Sequence, residues 1–328
     1  MACGEPKKVA YLLAASHSGS TLLAMLLNAH PDVVTVGELK ATNLGDVTRY
    51  RCSCGKLIRE CRFWASVSQT MVERGIPFDI SDARTDFRVG VSAYTRWLLR
   101  LLHRGPVLER VRDVALALSP RWRSCLRRTQ QRNLALVETV CELTGAHVIV
   151  DSSKLALRLK YLLQNPAFDI RVIRLIRDGR AVALTYTDPC AFADARDPSL
   201  RGGGCGGSHS GEGLSLAQAA RAWRRSNEEA ENVLATLHPS RWTSIRYEDL
   251  CASPRDVLAG VFTFLGLDPG KAAADFRALE HHVLGNGMRL DSTSEVCLDE
   301  RWKSVLTEDD LQVFHAVAGD LNRRYGYV

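Results

Sequence analysis

Short apolar runs alternate with amphipathic stretches along most of the chain. The runs at residues 9–15, 33–36, 147–150, 171–176 and 242–247 have the length of buried parallel strands. Between them, apolar residues recur at the spacing of a helix face, as in residues 257–265. This alternation predicts an α/β protein with three layers, in which a central parallel sheet is flanked by helices.

The pattern between residues 63 and 145 is helical, with helices predicted over 64–74, 87–103, 107–118 and 120–143. We interpret this block as a helical insertion within one domain spanning residues 1–328, and we expect it to shape the acceptor side of a cleft. Ten arginines but only two acidic residues lie between Arg96 and Arg132. A solvated basic helix face is the simplest explanation, and a negatively charged acceptor or partner is the alternative.

Composition narrows the class of protein only slightly. The 328 residues are 46% hydrophobic and 24% charged, as in a globular protein, and the net charge of +6 is too small to indicate nucleic-acid binding. No apolar run reaches the roughly 18 residues of a membrane helix. In the absence of a signal peptide, the sequence predicts a cytoplasmic protein, and a homodimer is left open. Glycines concentrated at residues 192–213 predict a mobile loop.

The first apolar run leads directly into a turn of small and hydroxylated residues. The turn consists of Ser16, His17, Ser18, Gly19, Ser20 and Thr21, and Leu22 opens the apolar stretch that follows. A strand, a small-residue turn and a helix N-terminus form an anion site, because backbone N–H groups and the helix dipole face the ligand. The alternative is an ordinary strand-to-helix loop. Ser20 replaces the lysine of a triphosphate-binding loop, which favours a shorter anion such as a phosphosulfate.

Charged residues follow three other predicted strands. Glu38 follows the second, Lys154 the third and Arg177 the fourth, and ligands of open α/β sheets bind outside the carboxyl ends of the strands. A carboxylate beside an anion site suits proton abstraction, whereas capping at the surface is the alternative for Glu38. Arg177 and the Thr185 hydroxyl, two helical turns later, are placed to bind one phosphate from two sides.

Two further groups of residues are candidates for chemistry. Arg289, Arg301 and Lys303 lie in a loop-like segment and are available to bind anions. Cys52, Cys54 and Cys61 place three of the ten cysteines within ten residues, so they could bind zinc with a fourth ligand from elsewhere or form a disulfide. Because their spacing matches no strong zinc motif, we favour a structural or redox role for this loop.

Four of these segments together resemble the PAPS-dependent sulfotransferases (PAPS is 3′-phosphoadenosine 5′-phosphosulfate). The resemblance is to the bacterial group that shares motifs with tyrosylprotein sulfotransferases. Residues 17–23 and 30–32 are similar to the family's 5′-phosphosulfate loop, and residues 177–182 with Thr185 to its 3′-phosphate motif. Residues 247–250 resemble a later strand whose tyrosine, Tyr247 here, approaches the cofactor. Residues 301–303 resemble the C-terminal cofactor segment.

The resemblance implies a P-loop-like fold and roles for individual residues. Glu38 matches the catalytic base of the tyrosylprotein branch, and Lys154 matches a lysine that contacts the transferring group. His17 stands where the family usually has arginine and is either a charged or a neutral donor, because an imidazole titrates near working pH. Thr185 stands where the family usually has serine and keeps the hydroxyl.

The resemblance therefore implies a sulfotransferase that moves a sulfuryl group from PAPS to an acceptor hydroxyl of a phenol, sugar or other alcohol, giving 3′,5′-ADP without a metal. Glu38 would take the acceptor proton, while Lys154, His17 and the loop amides would stabilise developing charge. Cofactor contacts are expected from residues 16–22, Arg177, Thr185, Tyr247, Arg289 and Arg301. The alternatives are an ATP-dependent small-molecule kinase of the P-loop type and a non-catalytic nucleotide-binding scaffold.

Overall fold

A five-stranded parallel sheet forms the centre of the molecule. The computed structural model describes residues 5–40, 44, 46–99, 106–193, 195, 197, 200, 213–279, 281–291 and 293–328. The strands are β1 (Lys7–Ala14), β2 (Val33–Thr35), β3 (Val148–Lys154), β4 (Phe168–Ile176) and β5 (Trp242–Arg246), in the order β2-β3-β1-β4-β5. All neighbouring pairs are parallel, which confirms the predicted sheet.

The central strand β1 marks the point where the strand order reverses. Its neighbours are β3 on one side and β4 on the other. In open α/β sheets the ligand crevice forms at such a point, outside the carboxyl ends of the strands. The small-residue turn that follows β1 therefore lies where this topology places a ligand.

Alternate side chains of β1 enter two separate apolar cores, one on each face of the sheet. Tyr11 and Leu13 pack into the first core, and Leu12 and Ala14 into the second. Burial on both faces explains why the strand is a continuous apolar run rather than an alternating one. Helices cover both cores, so the predicted three-layer arrangement is confirmed.

Helices connect the strands and complete the two outer layers. In chain order they are α1 (Ser20–Leu27), α2 (Arg62–Glu73), α3 (Ala93–Leu99), α4 (Pro106–Leu118), α5 (Pro120–Thr144), α6 (Ala156–Leu162), α7 (Gly179–Thr187), α8 (Pro189–Ala193), α9 (Leu216–Leu234), α10 (Tyr247–Ala252), α11 (Pro254–Leu265), α12 (Trp302–Val305) and α13 (Glu308–Arg324). Within the described part of the chain, none of the helices combines the length and the apolar character that a bilayer span requires.

The predicted helical segment between residues 63 and 145 contains α2 to α5 and packs directly on the sheet. Trp64 and Met71 of α2 share an apolar core with Leu136 of α5 and with Tyr11 of β1. These helices are thus continuous with the main core. Among the described residues of this segment, only Arg88 lines the cavity described below.

One predicted helix is wrong in its first part. The helix predicted over residues 87–103 begins only at Ala93, because the preceding residues form turns. The Asp86 carboxylate accepts a hydrogen bond from the backbone N–H of Arg88 (2.8 Å), and Gly90 has a φ of 72°. Residues 100–103 of that prediction lie outside the described residues, as does most of the glycine-rich stretch at 192–213.

A smaller apolar core fixes the start of α7. Trp223 of α9 and Phe314 of α13 pack against Val182 of α7. A Cβ on Gly179, the first residue of α7, would lie only 2.6 Å from the Phe314 ring and 2.9 Å from that of Trp223. The helix that follows Arg177 is therefore held close to α9 and α13.

Candidate active site

One cavity of 820 Å³ contains nearly all of the predicted site residues. Its size lies in the range of about 300–1,000 Å³ that is typical of small-molecule sites. The predicted residues that line it are Ser16, His17, Gly19, Ser20, Thr21, Leu22, Glu38, Lys154, Arg177, Thr185, Tyr247 and Arg301. The structure thus brings together residues from the ends of β1, β2, β3 and β4 and from three later segments.

Two residues of the turn after β1 have a left-handed backbone. His17 has a φ of 64° and Gly19 a φ of 88°, and Gly19 caps the N-terminus of α1. A Cβ on Gly19 would lie 2.6 Å from Cε2 of the Tyr247 ring. Glycine is therefore required twice, for the left-handed backbone and for the close approach of the tyrosine.

Two predicted cofactor residues do not reach the cavity with their side chains. Ser18 is 1% exposed, and its hydroxyl has no hydrogen-bond partner among the described residues. The Arg289 guanidinium donates to the carbonyls of Asn286 (3.0 Å) and Arg51, and it lies over the Tyr50 ring. Arg289 thus has a structural contact role here, because backbone carbonyls and an aromatic face already surround its charge.

Gly37 sets the position of Glu38. Gly37 has a φ of 83°, and a Cβ on it would collide with the backbone of Leu284. Its N–H donates to Thr35 Oγ1 (3.1 Å), and its carbonyl accepts from the N–H of Ser152 (3.0 Å). The backbone that precedes Glu38 is therefore fixed between β3 and residue 284.

Glu38 lies between two lysines. Its Oε1 accepts a hydrogen bond from Lys154 Nζ, and its Oε2 lies 3.2 Å from Lys40 Nζ. Burial raises the pKa of Glu38, but the charges and hydrogen bonds of Lys154 and Lys40 outweigh this effect and lower the pKa to about 2. Glu38 is consequently an ionised carboxylate at neutral pH.

Lys154 has an unusual backbone for a non-glycine residue, with a φ of 69°. Such conformations cost of order 1–3 kcal/mol and persist only where the surroundings enforce them. Here the fully buried Asp151 carboxylate pairs with Arg158 (2.8 Å) and accepts from the Ser153 N–H (3.0 Å). The Ser153 hydroxyl in turn accepts from the N–H of Lys40 (3.0 Å). This buried network connects the end of β3 to the segment that carries Glu38.

Arg177 belongs to a second group of charged residues that line the cavity. Its Nη1 donates to the His17 carbonyl (2.9 Å), and its Nη2 donates to Asp299 Oδ2 (3.0 Å). Its Cζ lies 4.4 Å from the centroid of the Tyr247 ring. The bond to His17 joins the predicted 3′-phosphate motif directly to the predicted phosphosulfate loop.

Asp299 connects two arginines. Besides Arg177, its carboxylate accepts hydrogen bonds from Arg301 Nε (2.8 Å) and Nη2 (2.9 Å). Burial raises the pKa of Asp299, but the Arg301 hydrogen bonds and the charge of Arg177 hold it well below its usual range. Thr185, which is 3% exposed, lines the cavity from α7 while its hydroxyl donates to the Ala181 carbonyl (3.0 Å).

The polar residues that line the cavity but were missed by the sequence analysis include Lys40, Arg88, Tyr186 and Asp299. Lys40 and Asp299 each lie two residues from a predicted site residue, Glu38 and Arg301, and that spacing is a usable signal. Burial raises the pKa of Tyr186, although hydrogen bonds with Ser16 oppose this, and its ring meets that of His17 edge-on at 5.0 Å. Neither Arg88 nor Tyr186 belongs to a recognisable motif.

Two carbohydrate sulfotransferases are similar in sequence to this chain. Mouse carbohydrate sulfotransferase 5 is 24% identical over 339 residues, covering 96% of this chain and 80% of the relative. Human carbohydrate sulfotransferase 6 is 24% identical over 274 residues, covering 80% of this chain but only 65% of the relative, which is thus matched over less than two thirds of its length.

Two solved structures and one family model also match this chain. The sulfotransferase domain from the curacin biosynthetic pathway has 16% identity and a TM-score of 0.49, with 99% of this chain and 98% of that chain covered. A sulfotransferase from Mycobacterium avium, STF9, has 14% identity and a TM-score of 0.46. The match covers 94% of this chain and 75% of that chain. A family model described as the sulfotransferase family matches residues 11–269. Because this match takes in well over half of the sequence, the chain belongs to the sulfotransferase family.

Proposed function

We propose that this protein transfers the sulfuryl group of PAPS to an acceptor hydroxyl and releases 3′,5′-ADP. Family membership supports sulfuryl transfer in general, and one observation carries the more specific proposal. One cavity is lined by residues of the Ser16–Thr21 turn, by Arg177 and Thr185, and by Glu38 and Lys154. Two anion-binding regions and a carboxylate are what a bisphosphorylated sulfuryl donor and its acceptor require.

The residues present fit such a nucleotide. The turn after β1 offers backbone N–H groups and the N-terminus of α1 to the 5′ end. Arg177, whose Nε is buried without a hydrogen-bond partner among the described residues, and Arg301 offer guanidinium groups to the 3′-phosphate. The Thr185 hydroxyl must exchange its bond with Ala181 to join them. Arg289 is not part of this proposal, because its side chain does not line the cavity.

Glu38 acts as the base in this proposal. The acceptor oxygen bonds to the sulfur of PAPS and gives its proton to Glu38, while the bond from that sulfur to the 5′-phosphate oxygen breaks and 3′,5′-ADP leaves. Glu38 is ionised, but a pKa of about 2 makes it a weak base while both lysines hold it. When the negatively charged donor binds, it attracts the Lys154 ammonium away from Glu38. The loss of this partner raises the pKa of Glu38 and makes it a stronger base. Lys154 and His17 would stabilise the charge that develops.

The acceptor class is chosen from the relatives. The two curated relatives are named carbohydrate sulfotransferases, so a sugar hydroxyl is the first acceptor to test here. Phenols and other alcohols follow. Neither alternative from the sequence, the ATP-dependent kinase or the non-catalytic scaffold, is favoured by the family match.

The test has two stages. Thermal shifts with 3′,5′-ADP, ADP and ATP identify the nucleotide, and 3′,5′-ADP is expected to raise the Tm most. An acceptor panel of sugars, phenols and alcohols is then incubated with ³⁴S-labelled PAPS and analysed by mass spectrometry. A labelled sulfate ester supports the proposal. A preference for ATP would point to the kinase, and 3′,5′-ADP binding without any product would point to the scaffold.

A further inference from the structure

Four potential metal ligands converge outside the cavity. Cys52, Cys54, Cys61 and His282 bring one ligand atom each to within 4.8 Å of all the others. His282 Nδ1 lies 3.4 Å from Cys61 Sγ and 3.7 Å from Cys52 Sγ, and the sulfurs of Cys54 and Cys61 are 3.7 Å apart. The three thiols were identified from the sequence, whereas the imidazole comes from a segment more than 220 residues away.

We propose that these four residues bind a structural zinc ion. Zn²⁺ prefers tetrahedral sites of sulfur and nitrogen, with Zn–S of about 2.3 Å and Zn–N of about 2.0–2.1 Å. A tetrahedron of those dimensions separates two sulfurs by about 3.8 Å and a sulfur from a nitrogen by about 3.6 Å. The three distances given above agree with these edges. Four protein ligands also close the coordination sphere, as in structural rather than catalytic zinc sites.

The local chain is built to present these ligands. Cys52 and Cys54 flank a tight turn in which the Gly55 N–H donates to the Cys52 carbonyl (2.9 Å) and Gly55 has a φ of 82°. Cys61 directly precedes α2. The Ser53 hydroxyl donates to the carbonyl before His282 (2.6 Å) and accepts from the N–H after it (2.8 Å). The residue between the two cysteines therefore fixes the backbone of the histidine.

A disulfide explains the arrangement less well. The bond requires a sulfur–sulfur distance of about 2.05 Å, and the sulfurs of Cys54 and Cys61 lie much farther apart. A disulfide would also use only two of the three thiols. It would leave unexplained why the third thiol and the imidazole point to the same place.

The proposed ion would hold one wall of the cavity. Segment 281–289 contacts segment 50–61 through the Gly285 N–H, which donates to the Tyr50 hydroxyl (2.9 Å), and through Arg289. A Cβ on Gly285 would lie 3.8 Å from Glu38 Oε1. Zinc at the cluster would thus fix a segment that packs beside the Glu38 carboxylate, although no ligand of the ion faces the reaction.

Metal content of the purified full-length chain tests the site independently of any activity. Elemental mass spectrometry is expected to find about one zinc per chain, and Co²⁺ in its place should give the strong visible absorption of a tetrahedral thiolate site. His282→Ala and Cys54→Ser should each lose most of the bound zinc. Cys141→Ser removes a half-buried thiol of α5 that is not part of the cluster, and it should keep the full amount.

Because the ligand variants are at risk of not folding, the wild-type protein provides a second measurement. Titration with a mercurial reagent should release about one zinc per chain, detected with a metallochromic chelator, as the reagent binds the three cluster thiols, and it should lower the Tm. Protein without bound zinc that also takes up neither Zn²⁺ nor Co²⁺ when titrated would overturn the proposal. So would a denatured mass two hydrogens lower, with a disulfide mapped between any two of the three cysteines.

Discussion

Two groups of charged residues line the cavity, and in each a carboxylate lies between two cations. We call them the lysine end and the arginine end. At one end, the Glu38 carboxylate lies between Lys154 and Lys40. At the other, the Asp299 carboxylate lies between Arg177 and Arg301. An ammonium is a compact charge on a flexible stem and can change partners, whereas a guanidinium presents a fixed fork that suits carboxylate or phosphate.

The two ends also differ in how they are anchored. Gly37 and the buried Asp151 network hold the backbone around Glu38 against β3, and the Lys154 side chain is 9% exposed. Arg301, in contrast, is 48% exposed and precedes the short helix α12. The lysine end thus combines a rigid frame with exchangeable charges, which suits the proton transfer that we propose. The arginine end suits the binding of a dianion that does not react.

The largest expected effect separates these roles at the carboxylates. Glu38→Gln keeps the shape of the side chain but removes the proton acceptor, so turnover should fall by about two to four powers of ten. The affinity for 3′,5′-ADP, measured by calorimetry, should change little. Asp299→Asn is the matched variant at the arginine end and should retain most of its kcat at saturating PAPS. Equal losses of kcat in both variants would contradict the division of roles.

Acid unfolding tests the ionisation of Glu38 in the absence of any substrate. The folded protein lowers the pKa of Glu38 from 4.5 to about 2. Its ionised form therefore stabilises the fold fully above pH 4.5, and this contribution, roughly 3 kcal/mol, is lost as the pH falls towards 2. Urea unfolding at several pH values should show a steeper loss for the wild type than for Glu38→Gln. Parallel curves would mean that the lysines do not hold Glu38 ionised.

A substitution of Arg177 tests whether the arginine end binds the 3′-phosphate. Arg177→Lys keeps the charge but loses the fork, and hydrogen bonds to charged groups contribute about 1.5–3 kcal/mol. The affinity for 3′,5′-ADP should therefore fall by roughly ten- to a hundredfold. ADP, which lacks the 3′-phosphate, is the matched ligand, and its affinity should be almost unchanged. An equal loss for both nucleotides would instead assign Arg177 to supporting the His17 carbonyl.

The site residues that follow strands could be predicted from the sequence. Buried parallel strands are continuous apolar runs, so their ends are visible, and the residues that follow them converge at one edge of the sheet. Glu38, Lys154 and Arg177 could be placed together for this reason. Lys40 was within reach of the same argument, because it follows Glu38 by two residues.

Side-chain direction in loops was not predictable in this way. Arg289 and Arg301 are both arginines of loop-like segments, yet Arg301 lines the cavity and Arg289 is 1% exposed. The difference comes from Tyr50 and the Arg51 carbonyl, which are more than 230 residues away in the sequence. His282 was missed for the same reason, since nothing local distinguishes it from the adjacent His281.

The least direct effect on nucleotide binding is expected from the turn after β1. Gly145→Ala places a Cβ at a φ of 71° in open space, so it should cost only the left-handed backbone penalty of roughly 1–2 kcal/mol. Gly19→Ala has the same backbone penalty and also displaces the Tyr247 ring, which is 6% exposed and packed on Arg177. Urea unfolding should therefore show that Gly19→Ala lowers the free energy of unfolding by about 1–3 kcal/mol more than Gly145→Ala does. Because the ring belongs to the arginine end, Gly19→Ala should weaken 3′,5′-ADP binding, whereas Gly145→Ala should not. Equal stability and equal affinity in the two variants would show that the ring is free to move, and that the arginine end is less fixed than its contacts indicate.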